Sequence, residues 1–329
     1  MTSIIKVGIA GTGSHLPERV MSNDDFALIL DTSDEWIAQR TGIRERRFAA
    51  EGECTSDLAY EAAKLALEDA GVEAADLDLI VVGTVTPDQH LPTVSCQLQD
   101  RLGSSKAMAF DVGAACSGFM VALDTAASFV ATGRATNALV IGAEVLSRWI
   151  DMKDRGSCIL FGDGAGAVIL QPHDVCGSGE ILNSCLGADG SGYEFIQAAH
   201  GGGRIRPYDD NYDPDLDNIL LRGRDVYRFA VNKMTEVIEA MCEGYDRDDI
   251  ALLVPHQVNQ RIIESALAKL EWDPARCVVN IDKYGNTSAA SVPIALDEAC
   301  REGRLKSGDL AVLVAFGAGL TWGGALVRW

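Results

Sequence analysis

Three residues carry side chains suited to covalent or proton chemistry, at points where folds gather ligands. Cys116 sits in "DVGAACSGF" (111–119), between an apolar run and a helical pattern. A thiol at a helix start feels unpaired backbone N–H groups and the positive end of the helix dipole. That lowers its pKa from about 8.5 and favours the nucleophilic thiolate. Small neighbours leave room for a substrate carbonyl and for N–H groups around the resulting oxyanion. His256 ends the apolar run "IALLVPH" (250–256), and a helical pattern follows. Strand C-terminal ends at helix starts are where open α/β folds collect ligands. Asn286, in "YGNTSAAS", stands at a similar junction. The other histidines, His15, His90, His173 and His200, lie in polar or turn-like stretches.

Two chemistries fit Cys, His and Asn in this order. A papain-type hydrolase has the same chain order, but its C-G-[SA]-C-[WY] signature is absent. The other is carbon–carbon bond formation on a cysteine thioester, with His and Asn donating hydrogen bonds to a developing enolate. Structural roles stay open beside both: a buried thiol, a strand-end histidine and an asparagine N-cap.

The elements that would position these residues read as alternating strands and helices. "LDLIVVGT" (77–84), "NALVIGAE" (137–144), "GAVIL" (166–170), "IALLVPH", "CVVNI" (277–281) and "LAVLVAFG" (310–317) are short apolar runs of the buried-strand type. "TSDLAYEAAKLALEDAG" (55–71) and "DVYRFAVNKMTEVIEAMCEG" (225–244) have helical spacing and a glycine stop. The alternation predicts an α/β fold with a mainly parallel or mixed sheet. The stretch from Phe110 resembles the one from Val279 in outline, and Cys116 and Asn286 lie equally far before Gly133 and Gly303. This makes the two residues candidate equivalents in a duplicated unit, with halves at 1–172 and 173–329. Residues 201–217, "GGGRIRPYDDNYDPDLD", read as a long surface loop.

Composition narrows the function classes. The 329 residues are 47% hydrophobic and only 6% aromatic, as in an aliphatic α/β core. A net charge of −20 leaves no nucleic-acid footprint, and an acidic partner would need a local basic patch. Nine irregularly spaced cysteines without a CxxC pair predict reduced thiols rather than a zinc or disulfide framework. Glycines come too early for a signal peptide, and no apolar stretch nears a membrane span, so the expected location is the cytoplasm.

The chain resembles the beta-ketoacyl-acyl-carrier-protein synthase III family of the thiolase-like superfamily. The resemblance rests on "DTSDEWIAQRTGIRERR" (31–47), "DVGAACSGF", "DRGSCILFGDGAGAV" (154–168), "VPHQVNQRII" (254–263), "YGNTSAASVPIAL" (284–296) and "FGAGLTWGGALVRW" (316–329). It implies a five-layered αβαβα fold of two duplicated halves with mixed sheets, usually a homodimer. It implies initiation of type II fatty acid synthesis, with Cys116 as acyl-accepting nucleophile and His256 and Asn286 as the decarboxylation pair. Backbone N–H groups of Cys116 and Ala318 would hold the oxyanion. No cofactor and no metal are implied; acyl-CoA enters as a substrate.

By the same resemblance, Trp36 and Arg155 would sandwich the CoA adenine, and Arg40 and Asn259 would line its tunnel. Arg228, Arg261 and Lys269 would dock the acidic malonyl-acyl-carrier protein. Leu91 stands where many relatives place a phenylalanine that closes the partner subunit's acyl pocket, and Arg224 replaces a commoner neutral residue. These departures leave primer length open. They also leave open a specialised ketide or quinolone-type condensing enzyme, and, in another class, a non-catalytic carrier-protein-binding homologue.

Overall fold

The computed structural model describes residues 4–329. Nine strands form the main sheet: β1 (Val7–His15), β2 (Leu79–Gly83), β3 (Met108–Val112), β4 (Ala138–Glu144), β5 (Gly164–Pro172), β6 (Glu180–Ala188), β7 (Ile250–Pro255), β8 (Leu310–Gly317) and β9 (Thr321–Arg328). Six helices pack on it: α1 (Thr55–Ala70), α2 (Val94–Leu102), α3 (Gly118–Ala131), α4 (Gly223–Met241), α5 (Gln260–Leu270) and α6 (Ser291–Arg301).

The apolar runs are buried on both faces, and their period of two divides them between two cores. Leu79 and Val81 of β2 pack inward beside Phe119 and Val292, whereas Ile80 and Val82 pack outward beside Leu58 and Leu98. In β8, Ala311 and Leu313 face the same inner core, and Val312 and Val314 face Ile238 and Ile263. Helices α3 and α6 therefore lie between two half-sheets, α1 and α2 cover one outer face, and α4 and α5 cover the other. These are the five layers expected from the resemblance.

The strand order is β7-β8-β9-β6-β1-β5-β4-β2-β3. β4 and β3 run parallel to β2, β5 runs antiparallel to β4, and β1 antiparallel to β5. On the other side β7 and β8 are parallel, with β9 and β6 antiparallel in turn, and a single bridge joins Leu253 to Cys277. The same sequence of orientations occurs twice. One pair, Gly8 with Glu180, joins the two sets into a continuous sheet. Close packing explains the glycines of "GIAGTG": a Cβ on Gly11 or Gly13 would lie 2.5 or 2.4 Å from backbone nitrogen of α1.

Two local expectations change. "CVVNI" is not a full strand; after the bridge at Cys277 the chain turns into a short helix, Ile281–Tyr284. The repeat register also shifts. Ala115 (φ 46°) and Ser288 (φ 50°) are left-handed residues that each open a short 3-10 turn, and a central helix follows each turn. α3 has 14 residues and α6 has 11, so counting back from the terminal glycines misaligned the halves by about one turn. Cys116 aligns with Ala289, and Asn286 lies before its turn.

Candidate active site

The chain leaves β3 and passes Gly113 and Ala114 before the left-handed Ala115 swings Cys116 to the start of α3. A side chain in that backbone region is strained and persists only where the surroundings hold it. Here the surroundings are backbone. A Cβ on Gly83 would lie 2.4 Å from Gly118 C, one on Gly142 would lie 2.2 Å from Ala289 O, and one on Gly317 would lie 2.7 Å from Cys116 N. The small residues around Cys116 thus let two helix starts and three strands meet, in addition to leaving access to the sulfur.

Cys116, His256 and Asn286 open into one apolar cavity of about 450 Å³, together with Phe316 and Ala318. The structure therefore brings together the three residues that the sequence placed at separate junctions. His256, at the end of β7, is fully buried. Its Nδ1 lies 2.5 Å from Ser291 Oγ, its ring stacks edge-on to Phe316 at 5.7 Å, and its Nε2 has no partner. Burial pushes its pKa down to about 3, so the imidazole is neutral at ordinary pH. Asn286 is pinned by Asn286 N–H to Leu160 O (2.8 Å) and Gly162 N–H to Asn286 O (3.0 Å). Its Oδ1 accepts the Ser288 N–H at 2.8 Å, which leaves the amide Nδ2 as its donor. Gln257 couples the two junctions: its Nε2 donates to Pro255 O and Val278 O, and its Oε1 accepts the Asn280 N–H.

The expected lowering of the Cys116 pKa is reversed. Burial pushes the thiol up to about 11; a Ser288 hydroxyl pulls it down, and the Glu144 charge pushes it further up. Removal from water outweighs the helix start, so the thiol rests protonated. Glu144, the last residue of β4, is fully buried beside it. Its carboxylate accepts hydrogen bonds from Thr84 Oγ1, Thr86 Oγ1, Ser288 Oγ and the N–H groups of Val85 and Thr86. Burial nevertheless raises its pKa to about 7. Sequence reasoning missed Glu144, Ser291 and Gln257. For Glu144 a signal existed, an acid closing an otherwise apolar strand.

Trp36 of the helix Asp34–Thr41, which does not itself line the cavity, lies under two guanidiniums, Arg40 at 4.1 Å and Arg155 at 4.6 Å from the ring centroid. Arg155 also donates to Asp31 O. Asn259, which lines the cavity, donates to Arg40 O at 3.1 Å and caps α5 through the Arg261 N–H. These four residues form one group. Arg228 stands on α4, and Arg261 and Lys269 on α5, which packs against α4. None of the three is in an ion pair among the described residues. Leu91 is not brought to the cavity; it is 84% exposed in the loop between β2 and α2. Among the described residues, no cluster of three His, Cys, Asp or Glu side chains is placed to hold a metal, and no helix is long and apolar enough to cross a membrane.

Residues 110–190 match the family model for 3-oxoacyl-[acyl-carrier-protein] synthase III, and residues 241–329 match the model for its C-terminal part. The chain is 49% identical to a beta-ketoacyl-[acyl-carrier-protein] synthase III of Caldanaerobacter subterraneus subsp. tengcongensis, over 100% of this chain and 99% of the relative. The crystal structure of 3-oxoacyl-[acyl-carrier-protein] synthase III from Aquifex aeolicus superposes with a TM-score of 0.90 at 45% identity, covering 98% of this chain and 100% of that one. The priming beta-ketosynthase of the R1128 polyketide biosynthetic pathway superposes with a TM-score of 0.91 at 36% identity, covering 100% and 98%. The chain belongs to the beta-ketoacyl-[acyl-carrier-protein] synthase III family.

Proposed function

We propose that this protein is the initiating condensing enzyme of type II fatty acid synthesis, an acyltransferase acting on acyl-CoA and malonyl-acyl-carrier protein. One observation carries the reading: a thiol, a neutral imidazole with an unpartnered Nε2 and an oriented amide share one apolar cavity. In the first half-reaction Cys116 Sγ attacks the acyl-CoA carbonyl. A new C–S bond forms, the C–S bond to CoA breaks, and the thiol proton ends on the CoA sulfur. Backbone N–H groups of Cys116 and Ala318 receive the oxyanion, so the site contributes mainly positioning to a nearly balanced exchange.

In the second half-reaction the malonyl C–C bond breaks and CO₂ leaves. The enolate oxygen accepts hydrogen bonds from His256 Nε2–H and Asn286 Nδ2–H; a missing donor of this kind costs about 2.7–4 kcal/mol. The enolate carbon attacks the acyl-Cys116 carbonyl and expels the Cys116 thiolate, which takes up a proton from solvent to restore the resting thiol. The product is 3-ketoacyl-carrier protein. Decarboxylation replaces proton abstraction, so the sequence of steps uses no base for carbon and no cofactor.

Trp36, Arg40, Arg155 and Asn259 hold the CoA nucleotide and its arm, by stacking, cation–π contact and hydrogen bonds. Arg228, Arg261 and Lys269 dock the acidic carrier protein, which the overall charge of −20 would otherwise repel. Leu91 closes the acyl pocket of a second copy across a homodimer; its exposure beyond its own cavity supports that assignment. The duplicated halves divide between 172 and 173, and the enzyme works in the cytoplasm.

A second reading, a condensing enzyme priming a specialised ketide, is favoured by the likeness to the R1128 priming ketosynthase. The test is a panel of acyl-CoAs followed by intact and peptide mass measurement. An acyl adduct on the Cys116 peptide, absent in Cys116→Ala, supports the mechanism, and an adduct on Cys54 or Cys158 refutes it. Malonyl-acyl-carrier protein is then supplied. Release of the 3-ketoacyl product favours fatty acid initiation, and turnover only with another acceptor favours the specialised enzyme.

A further inference from the structure

Among the described residues the His256 ring has one hydrogen-bond partner, Ser291 Oγ on Nδ1; it lies edge-on to Phe316, and Nε2 has no partner. Among the described residues no carboxylate hydrogen-bonds to it, and Glu144 is already saturated by hydroxyl and amide donors. The imidazole therefore stays neutral, and one of its nitrogens must be bare. Ser291 is 2% exposed, and its hydroxyl has His256 as its one hydrogen-bond partner among the described residues. If Nδ1 carried the proton, the Ser291 O–H and the Nε2 lone pair would both be left unpaired in an apolar cavity. If the hydroxyl donates to Nδ1, the Ser291 O–H and Nδ1 are both satisfied and only Nε2–H remains, aimed at the cavity. The second arrangement leaves fewer orphaned polar groups and is the stable one.

We propose that Ser291 is a positioning residue that fixes His256 in the Nε2–H tautomer, so that the neutral imidazole enters the reaction as a hydrogen-bond donor and not as the base for Cys116. The inference deepens the proposed condensing function and rests on it. It separates the half-reactions. The enolate step needs the Nε2–H donor, whereas transfer of the acyl group to Cys116 does not draw on His256 as a proton acceptor.

The test has a readout that is independent of turnover. The protein is labelled with ¹⁵N-histidine, and its five histidines give few enough signals for His256 to be assigned by its loss in His256→Ala. The expected spectrum shows a pyrrole-type Nε2 and a hydrogen-bonded pyridine-type Nδ1. Ser291→Ala is expected to move the Nδ1 signal, slow 3-ketoacyl formation by about ten- to a hundredfold, and leave acyl-adduct formation on Cys116 within about twofold. Ser291→Thr, which keeps the hydroxyl, should restore most of the condensation rate. A pyrrole-type Nδ1 in the unmodified protein overturns the proposal, and so does a Ser291→Ala variant that slows both half-reactions equally or neither. If Ser291→Ala fails to fold, the spectrum of the unmodified protein still decides. Failure of the condensing reading itself would show separately, as absence of both the Cys116 adduct and the 3-ketoacyl product.

Discussion

Glu144→Gln tests the electrostatics of the site most directly. The Glu144 carboxyl ionises near 4.5 when solvated and near 7 in the folded protein, because burial outweighs the hydrogen bonds from Thr86, Val85, Thr84 and Ser288. The folded state therefore holds its proton over a pH range in which the unfolded chain has lost it. Its contribution is fully present below pH 4.5 and is lost as pH rises through 7. At about 1.36 kcal/mol per pH unit, the move from 4.5 to about 7 amounts to on the order of 3 kcal/mol. Glutamine fits the same space, stays neutral throughout, and still accepts several of the donors through its carbonyl oxygen. The assay is urea unfolding of both proteins between pH 4.5 and pH 8. Relative to the unmodified protein, the variant should gain stability with rising pH, by an amount approaching about 3 kcal/mol. Titrations elsewhere in the chain cancel in the difference. Parallel stability curves would refute the reasoning. A second consequence follows from the Glu144 charge, which raises the Cys116 pKa: in Glu144→Gln, alkylation of Cys116 should begin at lower pH.

Three further outcomes are expected. Gly317→Ala places a methyl 2.7 Å from Cys116 N and 2.9 Å from Cys116 Cβ; pushing the nucleophile aside should slow Cys116 acylation by about a hundredfold, read from adduct mass against time. Trp36→Ala should raise KM for acyl-CoA by about tenfold through lost stacking. It should leave KM unchanged for an acyl-pantetheine that lacks the adenine. Arg261→Glu should raise KM for malonyl-carrier protein while sparing acylation by acyl-CoA, and the difference between the two proteins should shrink with added salt, as a screened surface interaction requires.

The sequence by itself determined the elements and the catalytic types. The runs around 79–83, 138–144, 250–255 and 310–317 became strands because strand burial and period-two patterning are properties of adjacent residues. Cys116, His256 and Asn286 were legible for the same reason: each sits at the end of a recognisable run, next to small or helix-starting residues. The motif resemblance assigned them roles, and the cavity shows that they meet.

What only the tertiary structure decided depends on groups brought together from distant parts of the chain. The Cys116 thiol is raised rather than lowered because the apolar cavity it shares with Phe316, Gly317 and the 85–86 turn disfavours its charged form, and no local pattern encodes that sum. The repeat register shifted because one central helix is a turn longer than the other, a difference that a matched count to the terminal glycine conceals. Arg155 lies over Trp36, Ser291 under His256 and Glu144 against Ser288, each pair formed across separate elements. Propensity and patterning act over a few residues, so the sequence displays them. Desolvation, tautomer and charge partners act through space, and only the folded arrangement sets them.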